Sequence, residues 1–339
     1  MKVEHIHLDE MYRAYAAANF EVDNETCIFI ASEEEGYPCI MYSGDKFENK
    51  TTVWEKGGGC MSIIPIPNKK NEFLAIMDFY LKESPSRAKL VWGKYKDGKW
   101  DIEDVLYLPY LHRFDIYHLD NKNYFVGATI ADEKEYKDDW RKPGSIYVGE
   151  IPDTPTEGIK LKKIAGDLFR NHGYYRYEDE NGIRGYFTSD EGIFELNPHN
   201  NWELTQILEG PIGEVAVMDI NGDGHNELIT IEPFHGDEIK IYEKKNDQYE
   251  VVYEFPYELN FGHTLEADLI HGVPTFVGGI RRVGNQLFTI QYLNDEYHLE
   301  ILDDGGPSNV SIGHKDDYDF IVGANHTRNE AAVYLLHKE

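Results

Sequence analysis

The sequence lacks the features that define several common protein classes. It has three cysteines in 339 residues. Cys27, Cys39 and Cys60 are too few and too irregularly spaced for a disulfide scaffold or a cysteine-based zinc site. No stretch approaches the roughly 18 apolar residues that are needed to span a bilayer. The first residues, MKVEHIHLDEMY, are partly acidic and contain no apolar run, so no signal peptide or lipidation site is visible. We therefore expect a cytoplasmic protein.

Basic residues are also scarce. The chain has 33 Lys and Arg against 62 Asp and Glu, a formal net charge of −29 at pH 7. Such a surface repels phosphate backbones and anionic lipids, which argues against nucleic acids and membranes as partners. The same surface attracts cations, so divalent metal ions are expected partners. The sequence makes no prediction of oligomeric state.

Helical periodicity is almost absent, because only residues 10–18 have a spacing compatible with a helix. The chain is instead rich in tyrosine (24) and glycine (30). Short apolar or alternating segments recur along it, separated by Gly, Asp, Asn and Pro. This pattern predicts an all-β protein.

The short strands belong to a repeated unit. Each unit has one strand, an acidic or glycine-rich turn, and a strongly apolar strand that often ends in Gly-Ala or Gly-Gly. The apolar triplet stands at the same offset in three segments, which are HRFDIYHLDNKNYFVGA from His112, HTLEADLIHGVPTFVGG from His263 and SNVSIGHKDDYDFIVGA from Ser308. Units from Cys60, His172 and Glu214 fit with one inserted residue, and a seventh covers about residues 15–57.

The length of the unit indicates the architecture. Dividing 339 residues among seven units gives about 48 each, and a four-stranded propeller blade takes roughly 40–50 residues. The last unit has only three strands, and the N-terminal segment VEHIHL can supply the fourth. We therefore predict one domain, residues 1–339, folded as a seven-bladed β-propeller whose N-terminal strand completes the last blade and closes the ring. Six or eight blades, or a pair of β-sandwiches, are the alternatives.

One unit carries an acidic loop, DINGDGHNE, at residues 219–227. Oxygen-bearing side chains occupy its positions 1, 3, 5 and 9, which are Asp219, Asn221, Asp223 and Glu227. His225, at position 7, would contribute its backbone carbonyl, and the two glycines allow a tight turn. A hard cation such as calcium takes six to eight oxygen ligands, and this spacing can wrap them round one point.

The segment VMDINGDGHNELIT resembles an FG-GAP (VCBS-type) repeat, the calcium-loop blade of integrin-like β-propellers. The full motif covers one unit, about 30 residues, and the other units keep the strands but lose the oxygen ligands. The resemblance implies a propeller with Ca²⁺ in the 219–227 loop, but it does not imply one activity. The alternative is a metal-free Asx/Gly turn.

A second pattern emerges when the units are aligned. The start of the innermost strand carries, in successive units, Cys60, His112, His172, Glu214, His263 and Ser308. Tyr15 and Ala16 lie near the seventh equivalent position. Equivalent positions in a propeller surround one central axis, so three imidazoles and a carboxylate would converge there. Such ligands suit Zn²⁺, Mn²⁺ or Fe²⁺. The alternative is a polar channel without a metal.

These patterns favour two functions. The first is a metal-dependent carbon–oxygen lyase or dehydratase that acts on a small carbohydrate or sugar-derived keto compound at the channel mouth. Its general plan is similar to that of the propellers of aldos-2-ulose dehydratase and oligogalacturonate lyase, at the level of fold. The candidate catalytic residues are His112, His172, His263, Tyr174, Arg176 and His326, and the candidate channel ligands are His112, His172, Glu214 and His263.

The second function is a non-catalytic module. In this alternative, Ca²⁺ in the 219–227 loop only stiffens a blade, and one face of the propeller binds a protein or a glycan. A tightly bound transition metal would favour the enzyme, whereas calcium alone would favour the module.

Overall fold

The structure is a computed structural model that describes residues 1–80 and 85–338. Its 28 β-strands form seven four-stranded antiparallel sheets. The described residues contain no α-helix, and their only helical segments are the single 3₁₀ turns Pro85–Arg87 and Pro155–Glu157. Neither turn has the length or the apolar character needed to cross a membrane.

The described residues divide into two compact units. The first, here called the N-terminal unit, comprises Met11–His172 and Asn200–Leu204. It contains three sheets of consecutive strands, β2 to β5, β6 to β9 and β10 to β13. The strands are β2 (Ala14–Val22), β3 (Glu25–Ser32), β4 (Tyr37–Ser43), β5 (Asn49–Gly57), β6 (Ile63–Pro65), β7 (Glu72–Met77), β8 (Lys89–Lys96), β9 (Lys99–Tyr107), β10 (Leu111–Leu119), β11 (Lys122–Thr129), β12 (Gly144–Ile151) and β13 (Lys162–Leu168).

The second unit, here called the C-terminal unit, comprises Met1–Glu10, Gly173–His199 and Thr205–Glu339. Three of its sheets again use consecutive strands, and the fourth has the order β1-β28-β27-β26. The strands are β1 (Lys2–Glu10), β14 (Tyr174–Asp179), β15 (Gly182–Ser189), β16 (Gly192–Asn197), β17 (Glu203–Glu209), β18 (Glu214–Met218), β19 (Glu227–Glu232), β20 (Glu238–Lys245), β21 (Gln248–Glu254), β22 (Asn260–Ile270), β23 (Val273–Arg282), β24 (Leu287–Leu293), β25 (Glu296–Asp303), β26 (Asn309–His314), β27 (Asp319–Asn325) and β28 (Glu330–His337).

This strand order is that of a seven-bladed β-propeller, as the repeat predicts. The predicted pairing of the chain ends is also confirmed, since β1 runs antiparallel to β28 from Lys2 opposite His337 to Glu10 opposite Glu330. The one stretch with helix-compatible spacing is not helical. Residues 10–18 form the end of β1 and the start of β2, because Ala14–Ala18 pairs with β3 in a ladder.

The core lies between neighbouring sheets of each unit. In the N-terminal unit, Phe29 of β3 and Phe73 of β7 meet at 6.1 Å between ring centroids. In the C-terminal unit, Ile229 of β19, Phe276 of β23 and Phe288 of β24 belong to one buried cluster. The apolar strand of each repeat is therefore apolar on both of its faces, because each face packs against other parts of the core.

Gly278, which follows the apolar triplet of its repeat, has a packing role. This residue is paired with Phe288 on the adjacent strand. A Cβ atom at Gly278 would overlap the phenyl ring of Phe288. The glycine at position 278 thus leaves room for an aromatic ring that lies across the strand.

A histidine connects two sheets of the C-terminal unit. His314 at the end of β26 places Nδ1 2.7 Å from Oδ1 of Asp319, and Nε2 3.2 Å from Oδ2 of Asp268 on β22. Both carboxylates are acceptors, so the imidazolium form satisfies both contacts. Burial opposes that form, but the hydrogen bonds with Asp319 and Asp268 prevail and raise the pKa of His314. These residues line a cavity of about 680 Å³.

We predict that this contact makes stability pH-dependent. The folded pKa of His314 lies above its ordinary value of 6.5. The stabilisation is therefore complete below about pH 6.5 and is lost as the pH rises through the folded pKa. A half-exposed pair of this kind contributes roughly 0.2–1 kcal/mol. Urea unfolding should show His314→Gln to be less stable than the wild type at pH 5.5, with a smaller difference at pH 8.5.

The control for this experiment is His298→Gln. His298 is exposed, and its Nε2 contacts only the backbone carbonyl of Leu293 among the contacts described. A pH-independent effect of His314→Gln, or an equal pH dependence in both variants, would contradict the prediction.

Candidate functional site

The predicted channel ligands fall into both units. His112 and His172 belong to the N-terminal unit, and Glu214 and His263 belong to the C-terminal unit. All four side chains are buried, with 1–4% of the residue surface exposed. Buried imidazole and carboxylate groups need polar partners, so the contacts of each group indicate its chemistry.

In the N-terminal unit, the two histidines are neighbours. The ring centroids of His112 and His172 are 4.5 Å apart. Nε2 of His112 lies 3.4 Å from the hydroxyl of Tyr15, and the ring of Phe79 meets His112 edge-on at 5.1 Å. The repeat alignment placed Tyr15 near this position without fixing it, and the structure brings its hydroxyl to the imidazole.

In the C-terminal unit, His263 has one nitrogen fixed by the backbone. It lies on β22, where Nδ1 is 2.5 Å from the carbonyl oxygen of Ser308. A carbonyl can only accept, so Nδ1 must carry the proton and donate it. Nε2 of a neutral His263 then holds a lone pair, which can bind a metal or accept a proton.

A second histidine, His235, lies beside His263. Their rings stack with centroids 5.0 Å apart at an interplanar angle of 17°. One ring nitrogen of His235 lies within 4.8 Å of one of His263. Phe261 stacks on His235 at 4.2 Å. Two imidazoles bound to one zinc ion, each at about 2.0–2.1 Å, have nitrogens about 3.3 Å apart.

Two arginines also contact this aromatic group. The guanidinium groups of Arg281 and Arg282 lie 4.8 Å and 4.2 Å from the ring centroid of Phe261. Nη2 of Arg281 is 2.9 Å and 2.8 Å from the two ring nitrogens of His326. Arginine can only donate, so a hydrogen bond here requires the neutral form of His326, in which one ring nitrogen accepts. The cluster therefore combines cations, which suit a carboxylate ligand, with neutral imidazoles.

The remaining predicted residues have other surroundings. Glu214 begins β18, where it pairs with Ile231. Tyr174 packs on Phe187 with ring centroids 4.9 Å apart. Arg176 is exposed, and its Nη2 pairs with the carboxylate of Glu178. The contact of Tyr174 is therefore sheet packing, and that of Arg176 is a surface ion pair.

The 219–227 loop is a tight turn that its own carboxylates organise. Asp219 accepts hydrogen bonds from the N–H groups of Gly222, Asp223 and Gly224 at 2.7–3.1 Å. Both glycines have positive φ, 77° and 89°, as the turn requires. The N–H of His225 donates to Asp223 at 2.8 Å.

An acidic cluster extends from this loop onto the next strand. Asp223, Glu227 and Glu243 each place a carboxylate oxygen within 4.8 Å of the others. Glu227 is fully buried. Burial, with the negative charges of Asp223 and Asp219, raises the pKa of Glu227 to about 7, although the N–H of Ile220 donates to it. A cation would compensate this charge, and the all-oxygen donor set suits Ca²⁺.

Three groups in these sites could not be predicted from the sequence. Glu243 lies on β20, outside the loop motif, and only sheet pairing brings it near Glu227. His235 lies in the turn after β19, at a position that the repeat alignment does not cover. The carbonyl of Ser308 has no sequence signal, because every residue carries one. The only hint was that Ser308 occupies a position equivalent to that of His263.

Comparisons with known proteins bear on the fold. No protein-family model matches the chain, and no curated protein matches it. Among solved structures, the chain is similar to the β-propeller domain of Cps50 (Swd1) from Myceliophteria thermophila, with 9% sequence identity, 100% of each chain covered and a TM-score of 0.60. At this identity, the likeness is one of fold alone. The chain is therefore a seven-bladed β-propeller in which the first strand completes the last blade.

Proposed function

We propose that this β-propeller is a metal-dependent carbon–oxygen lyase or dehydratase that acts on a small sugar-derived keto compound or acid. The proposal rests on the contacts of His263. Its buried imidazole donates Nδ1–H to Ser308 at 2.5 Å, and His235 offers a second ring nitrogen within 4.8 Å. Metal-binding histidines in proteins are oriented by such a contact to a backbone carbonyl. Two nitrogen ligands suit Zn²⁺, Mn²⁺ or Fe²⁺.

The proposed substrate class follows from the arginines. Arg281 is 8% exposed, in a chain with a net charge of −29. A buried guanidinium beside an aromatic ring and an imidazole favours a carboxylate, which accepts two parallel hydrogen bonds from it. Phe261 stacks against His235 and lies under both guanidinium groups, so the arginines and the histidine pair border one aromatic surface.

His326 is the proposed base. The one lone pair of its neutral form accepts from Arg281 in this arrangement, and it becomes available to a C–H proton when Arg281 turns to the substrate carboxylate. A bound divalent metal would act as a Lewis acid on a carbonyl or carboxylate oxygen and acidify the neighbouring C–H bond. His326 would take that proton, and the electron pair of the C–H bond would form a C=C bond. The hydroxyl or alkoxyl group on the next carbon would leave with its bonding electrons.

We expect the purified protein to hold zinc, manganese or iron, with about one ion per chain at this site. Elemental mass spectrometry should show this ion to be lost from the double variant His235→Ala/His263→Ala, because both nitrogen ligands are removed. The control is His199→Ala, which changes a histidine in a turn. His112, His172 and Glu214 remain candidate ligands from the sequence, and their single variants belong in the same measurement. Unchanged metal content in the double variant would contradict the proposal.

Arg281→Gln tests the proposed substrate class. Loss of a charged hydrogen bond worth about 1.5–3 kcal/mol should weaken binding of a sugar-derived acid at least about tenfold. The readout is the ultraviolet absorbance of the conjugated product, followed as a function of substrate concentration. Arg87→Gln, at an exposed arginine paired with Glu35, is the control. If Arg281→Gln and Arg87→Gln show the same dependence on substrate concentration for every acid that the wild type converts, the proposed role of Arg281 in binding the substrate is wrong.

The acidic loop favours a second candidate, a non-catalytic module that binds a protein or a glycan. Here the 219–227 loop, with Glu243 from β20, would hold Ca²⁺ and stiffen the sheet formed by β18 to β21. The supporting observation is the buried, charge-crowded carboxylate of Glu227. A preparation that contains calcium and no transition metal would favour this candidate.

We predict that calcium stabilises the protein whether it is an enzyme or a binding module. The stabilisation should be larger at pH 8 than at pH 5. Without the ion, stability falls as the pH rises from about 4.5 to about 7, because folded Glu227 retains a proton that the unfolded chain has lost. Free calcium at a hundred times its dissociation constant should add about 2.7 kcal/mol to the free energy of unfolding. Urea unfolding with calcium or with a chelator measures this difference.

Two variants make the calcium prediction specific. Glu227→Gln should abolish the response to calcium, because it removes the buried carboxylate. His225→Ala should retain it, because only the backbone carbonyl of that residue is a proposed ligand. Equal responses of the wild type and Glu227→Gln, or no response at all, would argue for a metal-free turn.

A further inference from the structure

The first strand carries a second group of histidines that the proposed function does not use. His5 and His7 are two residues apart on β1, so their side chains lie on the same face of the strand. Both rings reach the same oxygen of Glu330, the first residue of β28. Nε2 of His5 is 3.2 Å, and Nδ1 of His7 is 2.8 Å, from Oε1 of Glu330.

Each of the two histidine nitrogens lies at a ligand-like separation from Oε1 of Glu330. In a tetrahedral site with metal–ligand bonds of about 2.0–2.1 Å, neighbouring donor atoms are about 3.3 Å apart. The observed separations of 2.8 Å and 3.2 Å lie close to that value. Asp303 can supply a fourth ligand, since one of its oxygens lies within 4.8 Å of the ligand atoms of both His5 and Glu330.

The opposite side of the carboxylate is held by other groups. Oε2 of Glu330 accepts from Nδ2 of Asn325 at 2.7 Å and from Nη1 of Arg328 at 3.1 Å. The ring of His5 stacks on Tyr334 with centroids 5.0 Å apart and an interplanar angle of 16°. Such partners fix the orientation of a ligand and leave its metal-facing atom available. In Glu330, that atom is Oε1.

Arg328 limits which oxygens an ion can reach. Its guanidinium contacts both oxygens of Asp303, at 2.8 Å and 3.2 Å. An ion would therefore compete with Arg328 for Asp303, whereas the contacts of Oε1 of Glu330 within the described part of the chain are with the two imidazoles. The set of two nitrogens and one carboxylate oxygen suits zinc better than calcium or magnesium, which prefer oxygen ligands alone.

We propose that His5, His7 and Glu330 form a binding site for Zn²⁺ or a chemically similar divalent ion, distinct from both sites described above. The ion would join the first strand of the chain to the last strand. Because the pairing of β1 with β28 is what brings residues 5 and 330 together, binding of the ion and closure of this sheet must favour each other.

The test uses the full chain carrying His235→Ala/His263→Ala, which removes the other proposed nitrogen site. After treatment with a chelator, zinc is titrated in competition with a chromophoric zinc chelator at pH 7.5. We expect one zinc per chain, with affinity reduced about 100-fold or more by His5→Ala/His7→Ala, which exceeds the 10–100-fold effect of losing a supporting partner. Glu330→Gln, a conservative change of similar volume, should also weaken binding.

His337→Ala is the matched control. Nε2 of His337 lies 3.2 Å from Glu4, so this pair also joins β28 to β1 but is not a proposed ligand. Hydrogen exchange of the β1 amides should be slowed by zinc in the wild type and in His337→Ala, and should be unaffected by zinc in His5→Ala/His7→Ala. Absence of zinc binding by the parent chain, or equal zinc affinity in the parent and the His5/His7 variant, would overturn the proposal and leave only imidazole–carboxylate contacts.

Discussion

The pairing of the first strand with the last is the constraint on which the C-terminal sheet of this propeller depends. Without β1, the strand β28 would be an exposed edge whose N–H and C=O groups could pair with another chain. The ladder from Lys2 opposite His337 to Glu10 opposite Glu330 covers that edge. It also brings His5 and His7 to Glu330, so the contact that completes the blade creates the group proposed to bind zinc.

Sequence analysis could predict much of this fold because the unit repeats. A single apolar triplet fits many structures, but the same triplet at a constant offset, about every 48 residues, fits a blade. The three-stranded last unit predicted the role of β1. The alanine-rich run Ala14–Ala18 has helix-compatible spacing, but pairing with β3 holds it as a strand. The local helical preference is overridden by the hydrogen bonds of the β-ladder and by the core packing that the sheet provides.

The candidate sites were predictable only in part. The spacing of Asp219, Asn221, Asp223 and Glu227 is local, so it can be read from the chain. The position of Glu243 depends on the register between strands, and that of His235 on a turn. The proton on Nδ1 of His263 depends on a backbone carbonyl 45 residues away. These three features depend on strand pairing and turn geometry, which no single residue of the sequence reveals.

In the proposed function, His263, oriented by Ser308 and accompanied by His235, binds a catalytic transition metal. The most direct test is anomalous X-ray diffraction from crystals of the protein as purified, recorded on both sides of the absorption edges of zinc, iron and manganese. We expect an anomalous peak about 2 Å from Nε2 of His263. Well-ordered His235 and His263 side chains with no peak beside them, in crystals that show an ion in the 219–227 loop, would contradict it and favour the binding module.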